Sequence, residues 1–357
     1  MSLVLAIVFA VILFSILIFV HELGHFVAAK LSGVQVNEFS MFMGPALVRW
    51  KRGTTQYTIR CIPIGGYCAM EGEEADTDSP HSFQKAAWWK RLIILAAGSF
   101  MNFLAGVLIV TVVLFWQPRY TTTQLTSLED WCSAAVSGGL QAGDQILEFD
   151  GKKISIYEDF SLATMLAPDG HYDMTVLRNG EKVELKDVPM IRQLVADSSG
   201  AQSRLYGMSF DRAETTADSV PARILPTAFN YVKSVIVSLE MLFTGEAGLQ
   251  DMTGAVGIVQ IMSESAASTE DTSMAFLNML YFGGFLAINL AVMNMLPVPA
   301  LDGGRIVGLL LTAAVEAVTR KKIDPKYEGY IHTAGMIALL ALMALITFKD
   351  IFFIVKR

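Results

Sequence analysis

Charge disappears from four long stretches of this chain. Residues 3–20 are uncharged, with Ser15 the one polar side chain, and residues 92–116 are interrupted only by Ser99, Asn102 and Thr111. Residues 275–301 carry Asn278, Asn289, Asn294 and two prolines, and residues 331–348 contain only His332 and two threonines. Each meets the requirement of roughly 20 apolar residues for a ~30 Å hydrocarbon core, the first and last at its short end. Four transmembrane helices are therefore predicted. The first has no basic segment before it, and its apolar run is too long for an ordinary signal peptide, so it reads as a helix of the mature chain.

Between the spans the period changes. "VNEFSMFMGPALVRW" and "TTQYTIRCIPIGGYCAM" read as strands about Arg52-Gly53, forming a sheet that dips into the membrane or anchors a loop outside it. "SGGLQAGDQILEFDGKKI" has a turn at Ala142-Gly143-Asp144 and alternation over Ile146, Glu148 and Asp150, followed by an Asp150-Gly151 turn. "HYDMTVLRNGEKVELKDV" reads as a hairpin closed by Asn179-Gly180. "PARILPTAFNYVKSVIVSLEMLF" alternates at helical spacing and reads as an amphipathic helix on the outer membrane surface. The resulting fold class is a polytopic α-helical membrane protein with a membrane-associated β-hairpin or sheet and an inserted β-rich domain. Its expected segments are a first span at 1–30, a cytosolic or re-entrant β region at 31–91 and a second span at 92–116. The β-rich domain follows at 121–212, an amphipathic helix and connector at 221–271, the third span at 275–303 and the fourth at 331–352.

Composition agrees. The 357 residues are 53% hydrophobic and 17% charged, with mean hydropathy +0.46, too apolar for a soluble protein of this size. Lys30, Arg49, Lys51, Arg52, Arg60, Lys85, Lys90 and Arg91 fall between the first two spans, and Arg305, Arg320, Lys321, Lys322 and Lys326 between the last two. Both connections should be cytosolic, with the section between the second and third spans outside together with both termini. Lys349, Lys356 and Arg357 oppose this and are outweighed by the two internal loops. A net charge of −7 argues against nucleic acid as a partner. Cys61, Cys68 and Cys132 make no disulfide framework and read as packing residues.

The chemistry sits at the inner end of the first span, in "HELGH". His21 and His25 are four apart, so they project about 40° apart from one helix face, spaced to bind one metal ion. Glu22 lies beside them, placed to act on an attacking water rather than as a ligand, the H-E-x-x-H arrangement in which two imidazoles hold Zn²⁺ and a glutamate is general base. Ionisable side chains within a span are costly and mark function. His21 follows 18 spanning residues, about 27 Å along the axis, which puts it near the cytosolic boundary.

A catalytic zinc needs a third protein ligand. "NMLPVPALDGGR", residues 294–305, offers Asp302, which arrives at the same expected depth from the third span; it could instead cap a helix or pair with Arg305. Pro297 and Pro299 must break the helix here, and broken backbone at membrane depth is tolerated only where it is buried or lines a polar cavity.

"HELGH" and "NMLPVPALDGG" together resemble the site-2 proteases, the intramembrane zinc metalloproteases, and specifically the bacterial RseP-like branch. "IPIGGY" in the first loop and "WWKRLIILAAGSFMNF" at the second span extend the likeness over nearly the whole chain. The resemblance implies His21, His25 and Asp302 as zinc ligands, Glu22 as catalytic base and Asn294 as a substrate or transition-state contact. Asn102 matches a family position near the site and reads equally well as a helix-packing amide. Residues 121–212 resemble a circularly permuted PDZ domain, a peptide-capturing module. Ser133-Ala134-Ala135 stands where such domains often carry Pro-Ala-Ala, and Gly254-Ala255-Val256-Gly257-Ile258 where the family commonly has Gly-Pro-Val-Gly-Ile. The implied function is regulated intramembrane proteolysis. It would cut the membrane segments of single-span proteins pre-trimmed by a site-1 protease, such as anti-sigma factors, or signal-peptide remnants, in a bacterial inner membrane. A membrane-anchored peptidase acting on soluble peptides and a non-catalytic PDZ-containing adaptor or scaffold are the rival readings.

Overall fold

The computed structural model describes residues 3–73, 77–196, 202–246, 248, 257–258, 260–261, 272–320 and 326–356. Lys321, Lys322 and most of the connector ending at 271, including Gly254 to Val256, lie outside the described residues. Among the described residues, four helices are long and apolar enough to cross a membrane: Ile7–Ser32, Trp88–Trp116, Ser273–Asn294 and Gly329–Phe352. They lie in α1 (Leu3–Ser32), α2 (Trp88–Trp116), α6 (Thr272–Asn294) and α8 (Lys326–Lys356). Together with the sheets described below they give the expected class, a polytopic helical membrane protein with β regions.

The helical ends extend past the uncharged cores. α1 continues through His21, His25 and Lys30 to Ser32, and α2 starts at Trp88, so that Lys90 and Arg91 lie in its first turn. Lys90 Nζ donates to the Ser32 carbonyl at 3.0 Å, tying the ends of the two helices. The third span ends at Asn294 rather than 303. Pro297 and Pro299 fall in an irregular stretch, after which α7 (Asp302–Thr319) begins. The sequence pattern predicts a loop here, and the chain instead forms this helix.

The chain forms two compact units, residues 1–109 with 235–357, and residues 110–234. In the first, α1 packs on α2 where Gly24 faces the Ala97 carbonyl; a Cβ at Gly24 would come within 2.4 Å of that oxygen. Small residues at such crossings let backbones approach where lipid gives no hydrophobic drive to helix association. β1 (Val36–Arg52) and β2 (Thr55–Met70) join across Gly53, each longer than a simple hairpin arm. Phe39 pairs with Cys68 on one side and Tyr57 on the other, while Trp50 also pairs with Tyr57. Each long strand thus serves as two short ones, with 36–41 inside and 66–70 and 46–52 on the edges. Arg60 pins the fold-back: Nη2 donates to Glu38 Oε1 at 2.8 Å, Nη1 to the Gly44 carbonyl at 2.8 Å and Nε to Ser40 Oγ at 2.9 Å. Phe19, Phe26 and Tyr57 close around Phe39, seating the sheet against α1.

The second unit is built on a sheet of order β10-β3-β4-β6-β7. Its strands are β3 (Arg119–Leu128), β4 (Gln145–Phe149), β6 (Gly170–Arg178), β7 (Glu181–Met190) and β10 (Met208–Glu214); β5 (Lys152–Lys153) pairs with β4. Asn179-Gly180 turns β6 into β7, both residues at positive φ, as a two-residue hairpin requires. Short α3 (Ser133–Val136) and α4 (Tyr157–Leu166) cover one face, with Ile146, Phe149, Met174 and Val176 buried beneath. β8 (Gln193–Ala196) and β9 (Gln202–Leu205) form a separate pair. Asp159, in the first turn of α4, caps it by accepting from the Ser155 N–H at 3.1 Å, and its other oxygen receives Lys233 at 2.8 Å and Asn230 at 3.2 Å from α5 (Pro221–Thr244). The apolar side of α5 at Leu225 and Phe229 stays exposed, the stripe expected of an amphipathic helix.

Candidate metal centre and its cleft

The helical spacing of four brings His21 and His25 onto one face of α1, and the start of α7 brings Asp302 to meet them. His21 Nε2 lies 3.1 Å and His25 Nε2 3.3 Å from Asp302 Oδ2, and the two imidazole nitrogens are 3.2 Å apart. Yet Asp302 Oδ2 is buried and accepts no hydrogen bond. Three donor atoms are thus packed at contact distance with the aspartate oxygen left unsatisfied, which is the arrangement of atoms facing a common point. Tetrahedral coordination at about 2.0–2.1 Å per bond puts neighbouring ligand atoms roughly 3.3–3.4 Å apart. The observed triangle and its His₂Asp chemistry fit a catalytic zinc with one position left open. Among the described residues these three form the one such group.

Each imidazole is oriented from α2. His25 Nδ1 lies 2.8 Å from the Ile94 carbonyl, so Nδ1 carries the proton and Nε2 is left for the metal. His21 Nδ1 lies 3.4 Å from the Asn102 amide and 3.5 Å from that of Asn294. Asn102 is buried and its Oδ1 otherwise has no partner. Turning that amide over gives His21 Nδ1–H its acceptor and satisfies Oδ1. Gly98, between Ile94 and Asn102 on the same face, leaves room for both rings: a Cβ there would lie 2.4 Å from His25 Nε2 and 2.7 Å from His21 Cε1.

The loop before Asp302 is equally tight. A Cβ on Gly303 would come within 2.3 Å of the Met295 and Leu296 carbonyls, so the irregular stretch folds back over the first turn of α7 only because glycine follows the aspartate. Ala300 is held at φ 90°, a strained position for a residue with a side chain.

The three donors open into a cleft of ≈ 850 Å³, lined also by Glu22, Asn294, Tyr67, Glu73 and Arg305. Glu22 therefore shares the cavity with the triangle without belonging to it. Asn294 is half-buried at the cleft wall, in contrast to the enclosed Asn102. The edge segment 66–70 runs alongside; a Cβ at Gly66 would sit 3.5 Å from Glu22 Cγ. Cys68 is buried on that segment, and burial together with the nearby Glu22 and Glu73 carboxylates pushes its thiol up, away from thiolate chemistry. Cys68 is thus a packing residue. Sequence reasoning named every member of the triangle; it missed Gly98, the Ile94 carbonyl and the pairing of Glu73 with Arg305. One signal was present: Gly98 and Asn102 are four apart in an uncharged run, a small residue and an amide on one helix face.

Comparison with known proteins agrees with this geometry. The chain matches Peptidase family M50 over residues 9–342. A Clostridium perfringens protein whose name assigns it to the zinc metalloproteases is 35% identical over 97% of this chain and 98% of its own length. A similarly named Fusobacterium nucleatum protein is 32% identical over 96% and 97%. The regulator of sigma-W protease RasP of Bacillus subtilis is 26% identical over 96% and 97%. With its four apolar helices and its His-His-Asp triangle, the chain belongs to Peptidase family M50 and is an intramembrane zinc metalloprotease.

Proposed function

We propose that His21, His25 and Asp302 hold the zinc, that Glu22 is the general base and that Asn294 contacts the reacting group. The observation that carries this reading is the 3.1–3.3 Å triangle of donor atoms opening into the cleft that Glu22 lines. Bound there, zinc supplies Lewis acidity towards water and the scissile carbonyl. Glu22 takes the proton of the water that attacks the carbonyl carbon, and passes it to the nitrogen as the C–N bond breaks. Ile94 and Asn102 hold the imidazoles in the tautomer that presents Nε2. Asn294, on the open wall, is placed to donate from its amide to the carbonyl oxygen as that oxygen gains charge.

A peptide bond within a helix is shielded by its own turns, so the substrate must unwind before it can react. The edge 66–70 beside Glu22 supports a device for this: an unwound segment adds to the edge, satisfying backbone groups that lipid cannot. The substrates are membrane proteins, and we assign them to single-span proteins already trimmed by another protease. The regulatory name of the Bacillus relative favours membrane-anchored regulators. The basic loops favour a zinc near the cytosolic face of a bacterial inner membrane, with residues 121–212 outside. The sheet of the second unit ends at edge strand β10, whose Phe210 receives Tyr157 and Phe160 of α4. This supports a PDZ-like domain that selects substrates. The test is cleavage of a single-span protein in liposomes with soluble peptides in parallel. Cutting of the membrane segment alone is expected; cutting of soluble peptides alone would favour the membrane-anchored peptidase, and cutting of neither an adaptor.

A further inference from the structure

The edge 66–70 does not run free to its end. Glu73, three residues beyond it, folds back so that Oε2 accepts the Met70 N–H at 3.3 Å, while Oε1 takes Nη1 of Arg305. Arg305 stands one helical turn after Asp302 on α7, so the contact joins the end of the sheet edge to the helix that brings Asp302 into the centre. Both side chains line the cleft and are largely enclosed, 16% and 23% exposed. The segment 66–70 pairs with 36–41 on one side, and a strand added on its other side would meet the Glu73 carboxylate at Met70.

We propose that the Glu73–Arg305 pair is an end-stop for a substrate strand on this edge, fixing its register and therefore which bond lies beside Glu22. To pair beyond Met70, a substrate would have to take the Met70 N–H from Glu73 and pull apart two enclosed opposite charges in direct contact. The strand stops instead. Register on a sheet edge moves in steps of two residues, about 6.6–6.8 Å, because a one-residue slip turns every side chain to the other face. Glu73 and Arg305 are thus specificity-determining residues that act by position and take no part in bond breaking. The inference rests on the edge-addition reading above.

The experiment is mass spectrometry of the products from one single-span substrate in liposomes, with Glu73→Ala, Glu73→Gln, Arg305→Gln and the wild-type enzyme, zinc content measured alongside. The expected result is one principal bond for the wild type and, for zinc-loaded Glu73→Ala, an additional cut two residues away, carrying at least a tenth of the product. Glu73→Gln retains an acceptor for Met70 but loses the charge, so it should give the second cut in smaller yield; if Glu73→Ala fails to hold zinc, Glu73→Gln and Arg305→Gln carry the test. Zinc-loaded variants that cut only the wild-type bond, or cut nothing, overturn the end-stop. Edge addition is tested separately by prolines placed along the substrate, each removing one backbone donor. If no proline slows cleavage, edge addition fails; if prolines slow it and the cut site never moves, the end-stop alone fails.

Discussion

The Asn102 side-chain amide lies 3.4 Å from Nδ1 of His21, the nitrogen that faces away from Asp302. A histidine that binds metal through Nε2 needs an acceptor at Nδ1, and Asn102 is the enclosed group that can provide it. Asn102→Ala should weaken zinc affinity by about 10–100-fold, the usual effect of losing such a partner. Asn102→Asp, which keeps an acceptor, should restore much of it. Zinc titration against a competing chelator measures both; equal affinity in Asn102→Ala and wild type would make this amide a packing group only.

Gly98 makes a sharper prediction. The Cβ of Gly98→Ala would fall 2.4 Å from His25 Nε2 and 2.7 Å from His21 Cε1, so both imidazoles would have to leave their positions. Zinc content should drop to a small fraction of one per chain while the four helices still insert. Ala97→Gly, one residue away, is the control for helix propensity, about 1 kcal/mol, and should keep its zinc.

In the second unit, Asp144 is 1% exposed, and its carboxylate accepts from Arg178 Nε and Nη2, both at 2.7 Å, and from the Gln141 N–H at 2.9 Å. Arg178→Leu strands that charge, a loss of roughly 3–5 kcal/mol for a buried pair broken on one side. Proteolysis of the full-length protein should then cut within residues 121–212 at much lower protease concentrations, with zinc unaffected.

Deletion of residues 121–212, with a short linker, tests substrate selection. None of the described residues among these lines the cleft. The shortened enzyme should keep its zinc and cut a short single-span substrate, and should also cut an untrimmed substrate that the full-length enzyme leaves alone. Loss of the short-substrate reaction with zinc intact would make the domain part of the catalytic assembly.

What the sequence made legible were features with a local signature. The spans follow from uncharged runs, His21 and His25 from a four-residue period, and Asp302 from the prolines before it and the expected depth of its span. α7 stayed hidden because Arg305 and Glu316 dilute its hydropathy and the preceding prolines suggest a loop, although Ile306 and Leu309 turn inward while Leu310 and Leu311 stay exposed. The fold-back of β1 on β2 was equally unreadable: Phe39 meets both Tyr57 and Cys68 only because the chain bends at Phe42, Gly44 and Gly65, all at positive φ. Contacts across long separations, such as Glu73 with Arg305, leave no periodic trace at all.

The most direct test of the account compares Glu22→Gln with the wild type for zinc content and for cleavage of a single-span substrate in liposomes. Glu22 lines the cleft but is not among the three converging donors, and glutamine nearly matches its shape. About one zinc per chain should remain, while cleavage falls by roughly 10²–10⁴-fold, the contribution of a lost general base. His21→Ala, His25→Ala and Asp302→Ala should instead each lose zinc. A Glu22→Gln enzyme that cuts at the wild-type rate, or one that loses its zinc as the ligand variants do, would contradict the account.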